Sequence, residues 1–184
     1  MTKRADGKFE RTRLDLYPTP RAAVMPLVPH LQRAGVKTFV EPCCADGQLV
    51  DHLEAEGFSC VMRGDIRDNQ PYGAQPLDAR TWKKSDFRKA DASITNPPWE
   101  AGLMAEIMEH QSGFVPSWFL IYSDWLFTKQ SARLMQERCT DIVPIGRVKW
   151  FPDSASVGFD NCCWVCMDAG KKHPTLFWPM AAKP

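Results

Sequence analysis

A chain of 184 residues can bury the core of one domain and is too short for two comfortable ones. Its make-up, 44% hydrophobic and 24% charged, is that of an ordinary globular protein, and no apolar run reaches the length of a membrane span. A net charge of +1 gives no overall basic field, so a nucleic-acid partner has to be held locally; seven cysteines, an odd number with adjacent pairs at Cys43-Cys44 and Cys162-Cys163, argue for reduced thiols over a disulfide framework.

Residues 1–14 are polar and read as a flexible arm, ahead of a single domain over 15–169 and a tail over 170–184. The charged start has no apolar segment of the signal-peptide kind, so a cytoplasmic protein is expected. Tyr17-Pro18-Thr19-Pro20 then stiffens the chain, with Thr19 as the N-cap and Pro20 as the first residue of a helix that Pro26 and Pro29 limit. A second helical piece over 31–34 stops at Gly35. Residues 37–40 read as a buried strand and end in the small-residue loop Glu41-Pro42-Cys43-Cys44-Ala45-Asp46-Gly47. Leu49, Val50 and Leu53 share one face of a helix over 48–56, which Gly57 ends. A second strand over 59–62 closes on Arg63-Gly64-Asp65, and Leu77-Asp78 is the one strand-like fragment in the polar stretch beyond it.

Residues 92–95 form the strand that delivers Asn96. A helix over 101–110, a fully buried strand over 118–122 and a helix over 125–138 follow. Residues 143–151 and 161–167 are rich in β-formers and predict a closing antiparallel pair, and the tail is loop-like with an aromatic anchor at Phe177-Trp178. Cys163 and Cys166 have the spacing of half a zinc site, but on a strand they point to opposite faces, and no metal site is expected. Alternating strands and helices predict an α/β fold with a mostly parallel twisted sheet, helices on both faces and an antiparallel C-terminal strand pair.

The most informative residues are Asn96-Pro97-Pro98-Trp99. An Asn side-chain oxygen accepts a hydrogen bond from an amino group. The prolines, with fixed φ and no N–H, hold a backbone carbonyl toward the same nitrogen, and an indole offers a face on which a heterocycle stacks. Asn-Pro and Pro-Pro are also common turn signals. What lifts this run above a turn is company. In a doubly wound sheet, ligands gather at the C-terminal ends of the strands, and the loop from Glu41 to Gly47, Asp65 and Asp78 fall on such ends together with Asn96. A small-residue loop lets a ligand approach backbone N–H groups, and an acid at the end of the next strand accepts from ribose hydroxyls. The loop lacks both the dinucleotide and the triphosphate glycine patterns, so a nucleoside-bearing cofactor without a pyrophosphate fits better.

With these motifs the chain resembles the S-adenosylmethionine-dependent amino-methyltransferases, specifically the small phage and prophage DNA N6-adenine methyltransferases, over residues 17–168. The resemblance implies a Rossmann-like class I methyltransferase fold, S-adenosyl-L-methionine as cofactor and DNA as partner, in the cytoplasm of a bacterial host. It implies that Tyr17, Thr19 and Pro20 lie over the methionine end of the cofactor and that Glu41, Pro42, Cys43, Asp46 and Gly47 line that moiety. Asp65 and Ile66 would hold ribose and adenine, and Asp78 the adenine amino group. Asn96, Pro97, Pro98 and Trp99 would grip a flipped target adenine. Ala45 stands where the family loop usually has glycine, a substitution that would demand positive φ of a residue that resists it. A protein glutamine, an RNA base amino group, and a catalytically inactive binding module are the alternative readings.

Overall fold

Phe39 and Val40 are wholly buried because their strand runs through the middle of the sheet. The structure is a computed structural model that describes residues 17–67, 73–151, 153 and 157–180, and the expected arm over 1–14 lies outside these. The sheet has eight strands: β1 (Thr38–Glu41), β2 (Ser59–Asp65), β3 (Gln75–Pro76), β4 (Ala92–Thr95), β5 (Ser117–Tyr122), β6 (Cys139–Arg147), β7 (Asn161–Met167) and β8 (Leu176–Phe177). Their spatial order is β3-β2-β1-β4-β5-β7-β6-β8. All neighbours are parallel except where β7 pairs with β5 and β6, between which it runs antiparallel. The chain steps outward from β1 to β3 and then returns to lay β4 on the other side of β1, so the order reverses between β1 and β4.

Side-chain alternation along the strands builds a core on each face. On one face Phe39, Ile94, Trp118, Leu120, Cys162, Trp164 and Cys166 meet the apolar sides of α1 (Arg21–Val24), α2 (Val28–Arg33) and α3 (Gln48–Ala55). On the other, Phe119, Ile121, Cys163, Val165 and Met167 meet Met104, Ile107 and Met108 of α4 (Ala101–Gln111) and Leu134 of α5 (Ala132–Arg138). Cys163 and Cys166 therefore sit in different layers, as their spacing on a strand requires. Trp82 fills a third cluster with Val40 and Phe87, and it lies against Gly64 so closely that a Cβ there would stand 2.4 Å from the indole. Only glycine fits at that point of β2. Among the described residues, no helix is long and apolar enough to cross a membrane.

Several elements depart from the sequence reading, each for a local reason. Thr19 caps no helix: α1 starts at Arg21 with Pro20 as the N-cap, and the Thr19 hydroxyl is turned to Asn96. The helix expected over 125–138 is a 3-10 segment, Ser123–Phe127, followed by α5. Hydroxyls divide the two, since Thr128 donates to the Trp125 carbonyl (2.9 Å) and Ser131 to those of Leu126 (3.1 Å) and Thr128 (2.9 Å). The short third strand falls at Gln75–Pro76 rather than at Leu77-Asp78, because the Asp78 carbonyl instead closes a turn with the Thr81 N–H. β6 begins at Cys139, directly after α5. In the tail, Trp178 is the anchor: its indole N–H donates to Asp141 (2.8 Å), Arg33 lies 3.9 Å from its ring, and Phe177 stays exposed.

Candidate active site

The reversal between β1 and β4 opens a crevice at the C-terminal ends of the strands, where ligands bind in open α/β sheets. A cavity of about 430 Å³ occupies it, within the range of roughly 300–1,000 Å³ typical of pockets that enclose small ligands. Of the residues singled out from the sequence, Tyr17, Thr19, Glu41, Pro42, Cys43, Asp46, Asp65, Ile66, Asp78, Asn96 and Pro98 line it. Pro20, Gly47, Pro97 and Trp99 do not. Gly47 instead takes φ +82° as the N-cap of α3. Trp99 is pinned beside the cavity: its indole N–H donates to the Leu120 carbonyl (3.0 Å), and its ring meets Trp150 edge-on at 5.4 Å and Tyr122 at 5.7 Å.

Glu41 ends β1 almost fully buried. One carboxyl oxygen accepts a 2.6 Å bond from the Thr95 hydroxyl at the end of β4, and the other has no hydrogen-bond partner among the described residues. Burial, the largest cause, pushes its pKa up to about 8, and the Thr95 bond opposes the rise only in part. A buried carboxyl with an orphan oxygen at a cavity wall is a place for a cationic ligand group. The neighbouring thiols are no nucleophiles: burial, followed by the charge of Glu41, raises Cys43 and raises Cys44 to about 12.

The loop itself is held by Asp65. One of its oxygens accepts from the Ala45 N–H (2.9 Å), and the other from the Arg67 N–H (3.0 Å) and Nε (2.9 Å). Further along, Asp78 takes Arg80 through its backbone N–H (2.8 Å) and its guanidinium, which holds the Asp78 carboxyl below its ordinary pKa. The guanidinium of Arg80 also reaches Glu106 (2.8 Å). Arg67 and Arg80, both on the cavity wall, were not among the residues the sequence suggested; the repeated Asp-x-Arg at 65–67 and 78–80 was the available signal. Leu49, Leu103 and Ile107 supply its apolar lining; Leu49 was read only as part of a helix face, and the other two only as part of the helix over 101–110.

Ala45 has φ +49° and is the one non-glycine residue with positive φ among those described. An L-residue there bears a strain of about 1 kcal/mol that glycine escapes. Ala45→Gly is expected to stabilise the protein by up to about 1 kcal/mol, a rise of roughly 2–4 °C in Tm for a chain this size, read by thermal unfolding.

Asn96 follows β4 directly. Its side-chain amide donates to the Thr19 hydroxyl (3.2 Å) and to the Tyr17 carbonyl (3.4 Å), so the two proline-bearing motifs meet. Oδ1 accepts no hydrogen bond from the described residues. Tyr17 in turn contacts the rings of Trp150 and Phe151, each at 5.9 Å.

The fold is that of the Rossmann-like class I methyltransferases. A candidate class I S-adenosylmethionine-dependent methyltransferase from Listeria monocytogenes superposes with a TM-score of 0.62 at 12% identity, over 93% of this chain and 68% of that one. A candidate RNA methyltransferase from Pyrococcus horikoshii gives 0.55 at 13% identity, over 87% and 91%. A candidate hemolysin from Lactococcus lactis gives 0.52 at 11%, over 85% and 90%. No family model and no curated protein matches the sequence.

Proposed function

We propose that this protein is an S-adenosylmethionine-dependent methyltransferase acting on the exocyclic N6 amino group of adenine in DNA. The observation that carries the reading is the Asn96 amide, whose two N–H donors are taken by Thr19 and Tyr17 so that Oδ1 is the acceptor on offer at the cavity. Support for the cofactor comes from the orphan oxygen of Glu41, which suits the α-ammonium of a methionine moiety, and from Asp65, Ile66 and Asp78, which suit ribose and adenine. Asp46 and the loop around it line the methionine end. When bound, S-adenosylmethionine would supply an electrophilic methyl on a sulfonium sulfur; a neutral amino nitrogen would take it without prior deprotonation, with the neutral thioether as leaving group and the nitrogen's surplus proton released to solvent.

The chain's own residues position that nitrogen. Asn96 Oδ1 and the Pro97 carbonyl accept its two N–H groups, which favours a pyramidal geometry with the lone pair exposed, while Pro97 and Pro98 keep the loop from relaxing. A planar base, flipped from its stack, packs against Trp99. The rings of Tyr17, Tyr122, Trp150 and Phe151 around this motif favour a flat heterocycle over an aliphatic glutamine side chain. Incubation with labelled cofactor and unmethylated DNA, RNA or protein, followed by nucleoside and peptide analysis, tests the proposal. Label is expected in N6-methyladenine of DNA; label confined to RNA or to glutamine would replace the substrate. No transfer, with no thermal shift at millimolar cofactor, would leave a binding module.

A further inference from the structure

We propose that Thr19, with the Tyr17 carbonyl, is a positioning residue that fixes which way round the Asn96 amide lies; this rests on the amino-methyltransferase reading above. A primary amide is nearly symmetric in shape, and a half-turn about its last bond exchanges an acceptor for a donor. If Nδ2 rather than Oδ1 faced an incoming amino group, donor would meet donor. The structure decides between the two. A backbone carbonyl can only accept, so the Tyr17 oxygen 3.4 Å from the amide admits only the orientation in which Nδ2 faces it. The Thr19 hydroxyl, 3.2 Å away on a residue that is 4% exposed, takes the second donor.

Both acceptors are locked by the same device. Tyr17 precedes Pro18 and Thr19 precedes Pro20, and a residue before proline is driven to extended backbone. Asn96 itself precedes Pro97 and leaves the buried strand β4. Two segments, 77 residues apart in sequence, therefore clasp each other with little freedom on either side. Trp150 and Phe151 hold the Tyr17 ring and keep the N-terminal segment seated. Thr19 thus touches neither the reacting nitrogen nor the methyl in this assignment; it acts through Asn96.

The test uses two variants of the full chain. Thr19→Val keeps the shape and removes the acceptor, and Thr19→Ser keeps the acceptor. In 15N-labelled protein, the Asn96 side-chain NH2 signals of the parent and of Thr19→Ser are expected to be protected from solvent exchange, and those of Thr19→Val to exchange at least tenfold faster. Single-turnover methyl transfer is expected to fall by roughly 10–100-fold in Thr19→Val, the scale of a small misplacement of a reacting partner. The same step is expected to stay within about threefold of the parent in Thr19→Ser. An unprotected Asn96 amide in the parent, or a Thr19→Val variant with parental transfer rate, overturns the proposal. A protected amide in a parent that modifies no amino group would instead overturn the methyltransferase reading itself.

Discussion

Asn96→Ala is expected to lose at least about 10²–10³ of the methyl-transfer rate while keeping cofactor affinity within about twofold. The magnitude is that of deleting one preorganised polar contact to a centre whose charge changes in the transition state. Alanine removes the acceptor that meets the amino group and leaves Glu41, Asp65 and Asp78 untouched. The measurement is single-turnover transfer from labelled cofactor, beside a thermal-shift titration in which cofactor at a hundred times its Kd adds roughly 2.7 kcal/mol. Loss of the thermal shift along with the rate would place Asn96 in cofactor binding, and an unchanged rate would remove it from the chemistry.

Glu41→Gln is expected to weaken cofactor binding by at least about tenfold near pH 8 and to remove the rise in affinity between pH 6 and 8. In the free protein the Glu41 carboxyl, with its pKa raised to about 8, is protonated at neutral pH. A bound ammonium favours the carboxylate, so binding between pH 6 and 8 releases a proton and tightens by up to about tenfold per pH unit. Above about pH 8 the ligand's own α-amino group loses its proton, and affinity declines again. Calorimetric titration in buffers of different ionisation enthalpy reads the released proton directly; a flat profile in the parent would dismiss the ammonium from this position. The same carboxyl sets a stability trend. Because the folded state holds a proton that the unfolded state releases near 4.5, the group's contribution is complete below that pH. It is withdrawn as pH rises to about 8, at up to roughly 1.4 kcal/mol per unit. Glu41→Gln, which carries no titrating group, should be free of that loss.

Much of this site was legible because its parts are local. Hydrophobic runs ending in Glu41, Asp65 and Asn96 marked strand ends, and a parallel sheet brings such ends together whatever the details of its helices. The positive φ at Ala45 was also foreseeable, since the family that the chain resembles usually has glycine there. Thr19 shows the limit. As the residue before Pro20 it has the sequence of a helix cap, yet its hydroxyl is used by Asn96, a partner that only the folded sheet brings near. The ion pairs of Arg67 and Arg80 escaped notice for a different reason: Asp65 and Asp78 were placed at strand ends, but arginine two residues after an acid is common at surfaces, and nothing local pairs it with that acid. Trp99 belongs to the motif by sequence, but its contacts to Leu120, Tyr122 and Trp150 depend on β5 and the chain beyond β6. The break before α5 turned on the hydroxyls of Thr128 and Ser131, which hydrophobic periodicity ignores.

The strand order has one more consequence. Glu41, Asp65 and Asp78 end or follow β1, β2 and β3 on one side of the reversal, while Asn96, Tyr122 and Trp150 end or follow β4, β5 and β6 on the other. On the proposed reading, the half that handles the methyl donor and the half that handles the acceptor are modules joined along the β1–β4 pairing, with the Glu41–Thr95 hydrogen bond at its site end. Exchanging the connections after β5 and β6 should redirect such a protein to new acceptors while leaving its donor pocket intact.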